Sequence, residues 1–251
     1  MTSRGTWQGM TSIVRFNWPL YAVAFLVLTA ALAGLILMES LPLRLACAVA
    51  LAGACYFIVV SLGVSHLVYD RSDLYRFRWL DRALGGASRS HIVFCHSGLD
   101  EVSERLKDTL RPEFWITLDH FDSEWMTEAS IRRARKLHPP SPGTISTPFD
   151  SWPVDTSSID IVFGLLAIHE FRSEMERTRW FEEARRCLKP GGRIVIAEHL
   201  RDPANFLAFG PGFLHFHSPA SWRRCWEAAG FRKDDEFPVT SWVRVYILVP
   251  T

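Results

Sequence analysis

Two uncharged apolar runs near the start of the chain constrain its fold more than any other feature. Residues 20–38 read LYAVAFLVLTAALAGLILM and residues 45–64 read LACAVALAGACYFIVVSLGV, with no charged side chain in either. A helix of about 20 apolar residues spans the roughly 30 Å hydrocarbon core of a bilayer. The intervening ESLPLR is long enough to turn a helical hairpin. The pattern predicts two transmembrane helices, at about 20–38 and 45–64.

Two other interpretations of these runs are weaker. A signal peptide fits poorly, because a second apolar run follows the first and no convincing cleavage site separates them. A core hairpin of a water-soluble protein would normally carry a polar face, and neither run has one.

Arginines flank the predicted hairpin on one side. Arg4 and Arg15 precede the first run, and Arg71, Arg76, Arg78 and Arg82 follow the second. The turn carries only Arg44, which Glu39 balances. Because basic residues collect on the cytoplasmic side, we expect a two-pass membrane protein with both termini in the cytoplasm, in the inner membrane if the source is bacterial.

Strands and helices alternate through the remainder of the chain. Apolar runs at 91–95, 114–118, 159–165 and 193–199 are followed by helical patterns around 99–110, 123–137, 171–188 and 218–229, and two late strands fall near 231–237 and 241–249. Such alternation predicts an α/β domain, a doubly wound parallel sheet covered on both faces. The predicted organisation is a tail and hairpin (1–64), a juxtamembrane connector (65–89) and a cytoplasmic domain (90–251).

Charge and cysteine usage exclude some classes of function. The formal net charge is +1 with both signs well mixed, so the composition does not indicate a nucleic-acid partner. The five cysteines include no CxxC pair, which favours free thiols in a reducing compartment.

Three segments of the domain resemble the class I S-adenosylmethionine-dependent methyltransferases. STPFDSWPVDTSSIDIVFGLLAIHEF (146–171) is similar to that family's acidic loop and fourth strand, EEARRCLKPGGRIVIAEH (182–199) to its helix, turn and fifth strand, and SWRRCWEAAGF (221–231) to its late helix. The order and spacing match together across roughly residues 90–250. The resemblance implies a Rossmann-like sheet of strand order 3-2-1-4-5-7-6 and S-adenosylmethionine as the cofactor.

The first loop of the domain departs from the family pattern. The family has an acid followed by alternating glycines, whereas this chain reads FCHSGLDE at 94–101. Phe94 stands where the acid is expected, His96 and Asp100 replace glycines, and only Gly98 remains. The resemblance implies that His96, Gly98 and Asp100 contact the amino-acid part of the cofactor.

Acidic residues after the next two strands match the family more closely. Asp119, at the end of the second strand, is where the family holds the ribose hydroxyls, with Asp122 as the alternative. A carboxylate can accept two hydrogen bonds from neighbouring hydroxyls. Asp150 and Trp152 lie in the loop that contacts adenine in the family. A surface or helix-capping role is the alternative for each aspartate.

Histidines and acids collect where the later strands end. They are His169, Glu170, Glu198, His199, His215 and His217. Methyl transfer to oxygen or carbon usually needs a base, and histidine titrates in the right range. We predict His199 or His217 as the base, with Glu198 orienting it. A metal site built from His215, His217 and Glu198 is the alternative.

The segment NFLAFGPGFLHFHS (205–218) is too apolar for an ordinary solvated loop. It is predicted to be either a lid over a lipophilic substrate or a surface that docks on the bilayer. Arg201 and Asp202 are predicted to fix it in place.

The function predicted from sequence is that of a membrane-anchored methyltransferase for a lipophilic small molecule or lipid. The alternatives are a non-catalytic binding or scaffold subunit of a membrane complex, and metal-dependent chemistry on the same fold.

Overall fold

The structure, a computed structural model, describes residues 5–251. Arg4, one of the flanking arginines, lies outside the described residues. The chain begins with three helices, α1 (Gln8–Phe16), α2 (Trp18–Leu37) and α3 (Leu41–His66). A π-helical turn (Leu67–Arg71) prolongs α3, and a short helix α4 (Leu80–Leu84) leads into the domain.

Helices α2 and α3 pack against each other as a hairpin, and the Tyr21 and Ser61 hydroxyls are 3.0 Å apart. By length and composition, Trp18–Leu37 and Leu41–Arg71 could each cross a membrane. Only 17% and 11% of their most apolar stretches are buried in the protein. Neither helix is therefore packed like the core helix of a water-soluble domain.

The domain is a seven-stranded sheet with helices on both faces. Its strands are β1 (His91–His96), β2 (Phe114–Asp119), β3 (Ile145–Ser146), β4 (Ile159–Leu165), β5 (Leu188–His199), β6 (Phe231–Pro238) and β7 (Val243–Pro250). Its helices are α5 (Ser103–Leu110), α6 (Ala129–Leu137), α7 (Glu174–Cys187), α8 (Pro203–Phe209) and α9 (Pro219–Ala228). The strand order is β3-β2-β1-β4-β5-β7-β6, which confirms the predicted order. Strands β1 to β5 are parallel, and β7 runs antiparallel to both β5 and β6.

The two faces of the sheet carry separate apolar cores. Trp180 and Phe181 of α7 and Trp222 of α9 are buried on one face. The other face is covered by the segment predicted to be a juxtamembrane connector, where Leu74 and Leu84 are fully buried. The connector is thus a structural layer of the domain, because a parallel sheet needs cover on both faces.

Local signals set several element boundaries. Ser173 and Glu176 form a capping box at the start of α7. Asp202 accepts a hydrogen bond from the Asn205 N–H and caps α8, a helix that the sequence pattern did not predict. Arg201 donates to the carbonyls of Leu214 and Phe216, so the predicted role of Arg201 and Asp202 in fixing this loop is confirmed.

Gly98 combines a positive φ with a close neighbour, whereas Gly143 and Gly86 do not. Its φ is +96°, and a Cβ there would lie 2.7 Å from Phe121 Cδ2. Gly143 has a φ of +87° but open space around it, and Gly86 has neither constraint. We expect Gly98→Ala to lower the free energy of unfolding most, by about 2–4 kcal/mol, and Gly143→Ala by about 1 kcal/mol, with Gly86→Ala near neutral.

Thermal unfolding of the full chain in detergent, followed by circular dichroism, measures this order. Equal melting temperatures for Gly98→Ala and Gly86→Ala would contradict the close contact described between Gly98 and the Phe121 ring.

Candidate functional site

A cavity of about 390 Å³ opens where β1, β4 and β5 end. In open α/β sheets, ligands bind in the crevice beyond the carboxyl ends of the strands. The wall on the sheet side contains Ser97, Leu99, Leu166, Ala167, His169, Glu170 and His199. The opposite wall comes from the N-terminal helices and contains Ser12, Ile13, Phe16, Tyr21, Phe57 and Ser61. The domain and the apolar hairpin therefore share one cavity.

The Glu198 carboxylate, which is fully buried, organises the sheet side of this cavity. One oxygen accepts the backbone N–H groups of Ala167 (3.2 Å) and Ile168 (2.9 Å). The other lies 2.6 Å from Nδ1 of His169. A carboxylate only accepts hydrogen bonds, so Nδ1 carries the proton and Nε2 of His169 is directed to Glu170. Burial lowers the pKa of His169, but the Glu198 charge, the hydrogen bond to Glu198 and the Glu170 charge together outweigh it, and the net shift is upward.

His199 lies on the opposite face of β5 from Glu198. Its Nδ1 is 3.0 Å from both Asn205 Oδ1 and the Trp242 carbonyl, so this nitrogen donates. Its Nε2 then accepts from the Tyr69 hydroxyl at 2.9 Å. Burial lowers the pKa of His199 to about 4. The prediction that Glu198 orients His199 is wrong, because neighbouring residues of a strand point to opposite faces.

His217 does not line the cavity. Its Nε2 accepts from the buried Arg177 guanidinium at 2.8 Å. Burial, followed by the Arg177 charge, lowers its pKa to about 3. Glu198 is bonded to His169 rather than to His217, so the metal set predicted from His215, His217 and Glu198 is not assembled.

His215 instead meets Glu170 and Glu128 at the rim. Its Nε2 is 3.4 Å from Glu170 Oε1, and its Nδ1 is 3.3 Å from Glu128 Oε1. The Arg172 guanidinium also approaches Nδ1 (3.2 Å) and donates to the His215 carbonyl. Sequence position placed His215 and Glu170 on one edge of the sheet but did not show that they touch, and it did not single out Glu128.

Asp119 is held inside the protein. One oxygen accepts the backbone N–H groups of Gly98 and Phe121, both at 3.0 Å, and the other is paired with Arg135. His96 lies beside it, with Nδ1 3.4 Å from the carboxylate. Within residues 5–251, neither nitrogen of His96 has a hydrogen-bond partner, and burial lowers its pKa.

The remaining predicted cofactor residues serve the local fold in this structure. Asp100 accepts from Val102 N, Ser103 N and the Ser103 hydroxyl at the start of α5. Asp150 is exposed and pairs with Arg179 at 3.5 Å. Trp152 is buried, where its ring stacks on His120. Asp150 therefore sits in the surface position named as its alternative, and Asp100 caps the start of α5.

Comparisons with known proteins agree with this architecture. Residues 123–196 match the family model described as methyltransferase domain. No curated protein sequence matches the chain. A S-adenosylmethionine-dependent methyltransferase from Aquifex aeolicus is similar in structure, with a TM-score of 0.52 and 14% identity over 70% of this chain and 90% of its own. A protein from Pyrococcus horikoshii has a TM-score of 0.50 and 16% identity over 72% and 94%.

The chain thus has the fold of the class I S-adenosylmethionine-dependent methyltransferases, and the resemblance predicted from its motifs is confirmed.

His120 should make stability depend on pH. Burial lowers its pKa from 6.5 to about 4, so the unfolded chain binds a proton more readily than the folded one. The free energy of unfolding therefore decreases as the pH falls from about 6.5 towards 4, by up to about 1.4 kcal/mol per pH unit for this one group. His120→Phe keeps an aromatic ring against Trp152 and removes the titration.

Unfolding midpoints measured between pH 4 and 8 should fall less steeply on the acid side in His120→Phe than in the unmodified chain. Parallel profiles would show that His120 is not a neutral buried group.

Proposed function

We propose that the protein is a membrane-anchored S-adenosylmethionine-dependent methyltransferase that acts on a lipophilic small molecule or lipid. The observation that carries this proposal is the shared cavity. One wall comes from the strand ends of a methyltransferase fold, and the opposite wall comes from α1 and from two helices long enough to span a bilayer.

Exposed apolar residues support membrane insertion. The Tyr56 hydroxyl of α3 donates to the Leu207 carbonyl of α8 at 2.8 Å. Tyr56 lies about 15 Å along α3 from the end of that helix at His66. Phe206, Leu207 and Leu214 beside this contact are about half exposed. An apolar face next to a spanning helix is suited to the headgroup–acyl boundary. This favours the docking interpretation of residues 205–218, a segment whose Phe209, Gly212 and Phe216 also line the cavity.

Both termini of the hairpin lie against the domain. The Asp70 carboxylate accepts the backbone N–H groups of Gly9 and Met10, and Arg133 of α6 donates to the Phe16 carbonyl. Helix α1 is therefore held in place as part of the cavity wall opposite the sheet. The N-terminal tail and the domain share one side of the proposed membrane, and the arginine distribution supports the cytoplasmic side.

The residues at the ends of β1 and β2 fit a nucleoside cofactor. Ser97 lines the cavity with a buried hydroxyl that has no hydrogen-bond partner among residues 5–251. A carboxylate offers about four acceptor sites, so Asp119 can keep its two backbone bonds and still accept a ribose hydroxyl. Arg135, whose side chain is 27% exposed, would move aside. S-adenosylmethionine bound there supplies an electrophilic methyl group.

Tyr69 and His199 form a proton path on the cavity wall. His199 is neutral at pH 7 and accepts from the Tyr69 hydroxyl, and both residues line the cavity. An acceptor hydroxyl placed against Tyr69 can pass its proton through the phenol to His199. We therefore assign the base predicted at His199 to a Tyr69–His199 pair, with Asn205 rather than Glu198 orienting it.

Binding of S-adenosylhomocysteine tests the cofactor assignment. Isothermal titration of the detergent-purified chain should give a micromolar Kd. Asp119→Asn should weaken binding by roughly 10–100-fold, the loss of one charged hydrogen bond, whereas Asp122→Asn should leave it unchanged. Arg135→Ala, which releases one Asp119 oxygen, should bind at least as tightly as the unmodified chain. A folded protein without binding at millimolar ligand would favour the scaffold alternative.

A methyl-transfer assay tests the proton path. It measures labelled methyl that passes from S-adenosylmethionine into the solvent-extractable fraction of host membranes. Tyr69→Phe should lower the rate about 100-fold and leave the Kd for S-adenosylhomocysteine unchanged, because general-base assistance acts on the chemical step. Tyr246→Phe is the control, since that buried hydroxyl has no partner among the described residues. Equal rates for the two variants would remove Tyr69 from the mechanism.

A further inference from the structure

Two histidines and one glutamate at the rim of the cavity converge on a single point. Glu170 Oε1 lies 3.7 Å from His169 Nε2 and 3.4 Å from His215 Nε2. The ligand atoms of all three residues lie within 4.8 Å of one another. All three side chains line the cavity.

These separations suit metal coordination. Four ligands at about 2.1 Å from a tetrahedral zinc ion are about 3.4 Å apart. Two of the pairs are already within a few tenths of an ångström of that value, so only the two histidines need to approach each other. Two imidazoles and one carboxylate are also the ligand set of catalytic zinc sites and of non-haem iron sites, both of which keep open positions.

The Nδ1 nitrogens of both histidines, which are not the ones directed to Glu170, lie near carboxylates. Nδ1 of His169 donates to the buried Glu198, and Nδ1 of His215 lies 3.3 Å from Glu128. A carboxylate on the far nitrogen fixes the tautomer that presents Nε2 to a metal, and such partners are typical of histidine ligands. Arg172 only donates, so its 3.2 Å contact with the same nitrogen must open when a metal binds, and Nδ1–H of His215 then donates to Glu128.

We propose that His169, Glu170 and His215 bind one divalent transition-metal ion whose open coordination positions face the cavity. A ligand of the open positions would be an oxygen of the molecule in the cavity, such as a hydroxyl or a carboxylate. This set differs from the one predicted by sequence spacing, since it excludes His217 and uses Glu198 only to hold His169.

Metal binding by the full detergent-purified chain, stripped with a chelator, tests the proposal without cofactor or substrate. Its outcome is therefore independent of the proposed methyl transfer. Zinc affinity is measured by competition with a chromophoric chelator, and cobalt supplies a visible absorption that reports coordination. One equivalent of zinc should bind, and cobalt should give an absorption band that zinc removes.

Variants separate this site from other histidines and acids. Glu170→Gln and His215→Ala should each weaken zinc binding by at least about 100-fold, and Glu128→Gln by about 10-fold. His91→Ala and Glu104→Gln make the same chemical changes outside the cavity and should not alter the affinity. Circular dichroism of each variant confirms that it is folded. An affinity for zinc that is equal in Glu170→Gln, His215→Ala and the unmodified chain, or no binding at millimolar zinc, would overturn the proposal.

Discussion

The buried carboxylate of Glu198 is the interaction on which the arrangement of the site depends. A fully buried carboxylate is costly unless it is hydrogen-bonded, and Glu198 has three donors. Two of them are backbone N–H groups just after β4, so the charge ties the end of β5 to the exit of β4. The third is His169, whose ring orientation follows from that bond. The position of Glu170 at the rim follows in turn from the chain turn that Glu198 holds.

The alternation of side chains along β5 separates two polar systems that adjoin in sequence. Glu198 faces the histidine cluster at the rim, whereas His199 faces the other side and meets Tyr69. Tyr69 belongs to the helical extension of α3. The segment after the hairpin is therefore part of both the core and the cavity wall, and the hairpin itself also lines the cavity.

The first loop of the domain shows how the fold accommodates its departure from the glycine-rich pattern. Gly98, which remains, adopts a positive φ and donates to Asp119. Asp100, which replaces a glycine, caps α5. His96 is buried beside Asp119 with neither nitrogen bonded among residues 5–251. Local hydrogen bonds thus absorb Asp100, whereas His96 is accommodated by burial alone, and Ser97 still lines the cavity.

The sequence by itself determined the apolar helices and the strand–helix alternation, because these depend on local periodicity. The resemblance of its motifs to a known family implied the strand order. The sequence also placed His169, Glu170, His199 and His215 on one edge of the sheet, because parallel strands end together. Only the tertiary structure decided that His215 reaches Glu170, that Asn205 rather than Glu198 holds His199, and that the connector covers one face of the sheet. The physical reason is that these contacts join residues far apart in the chain, and their geometry depends on strand register and on how loops pack.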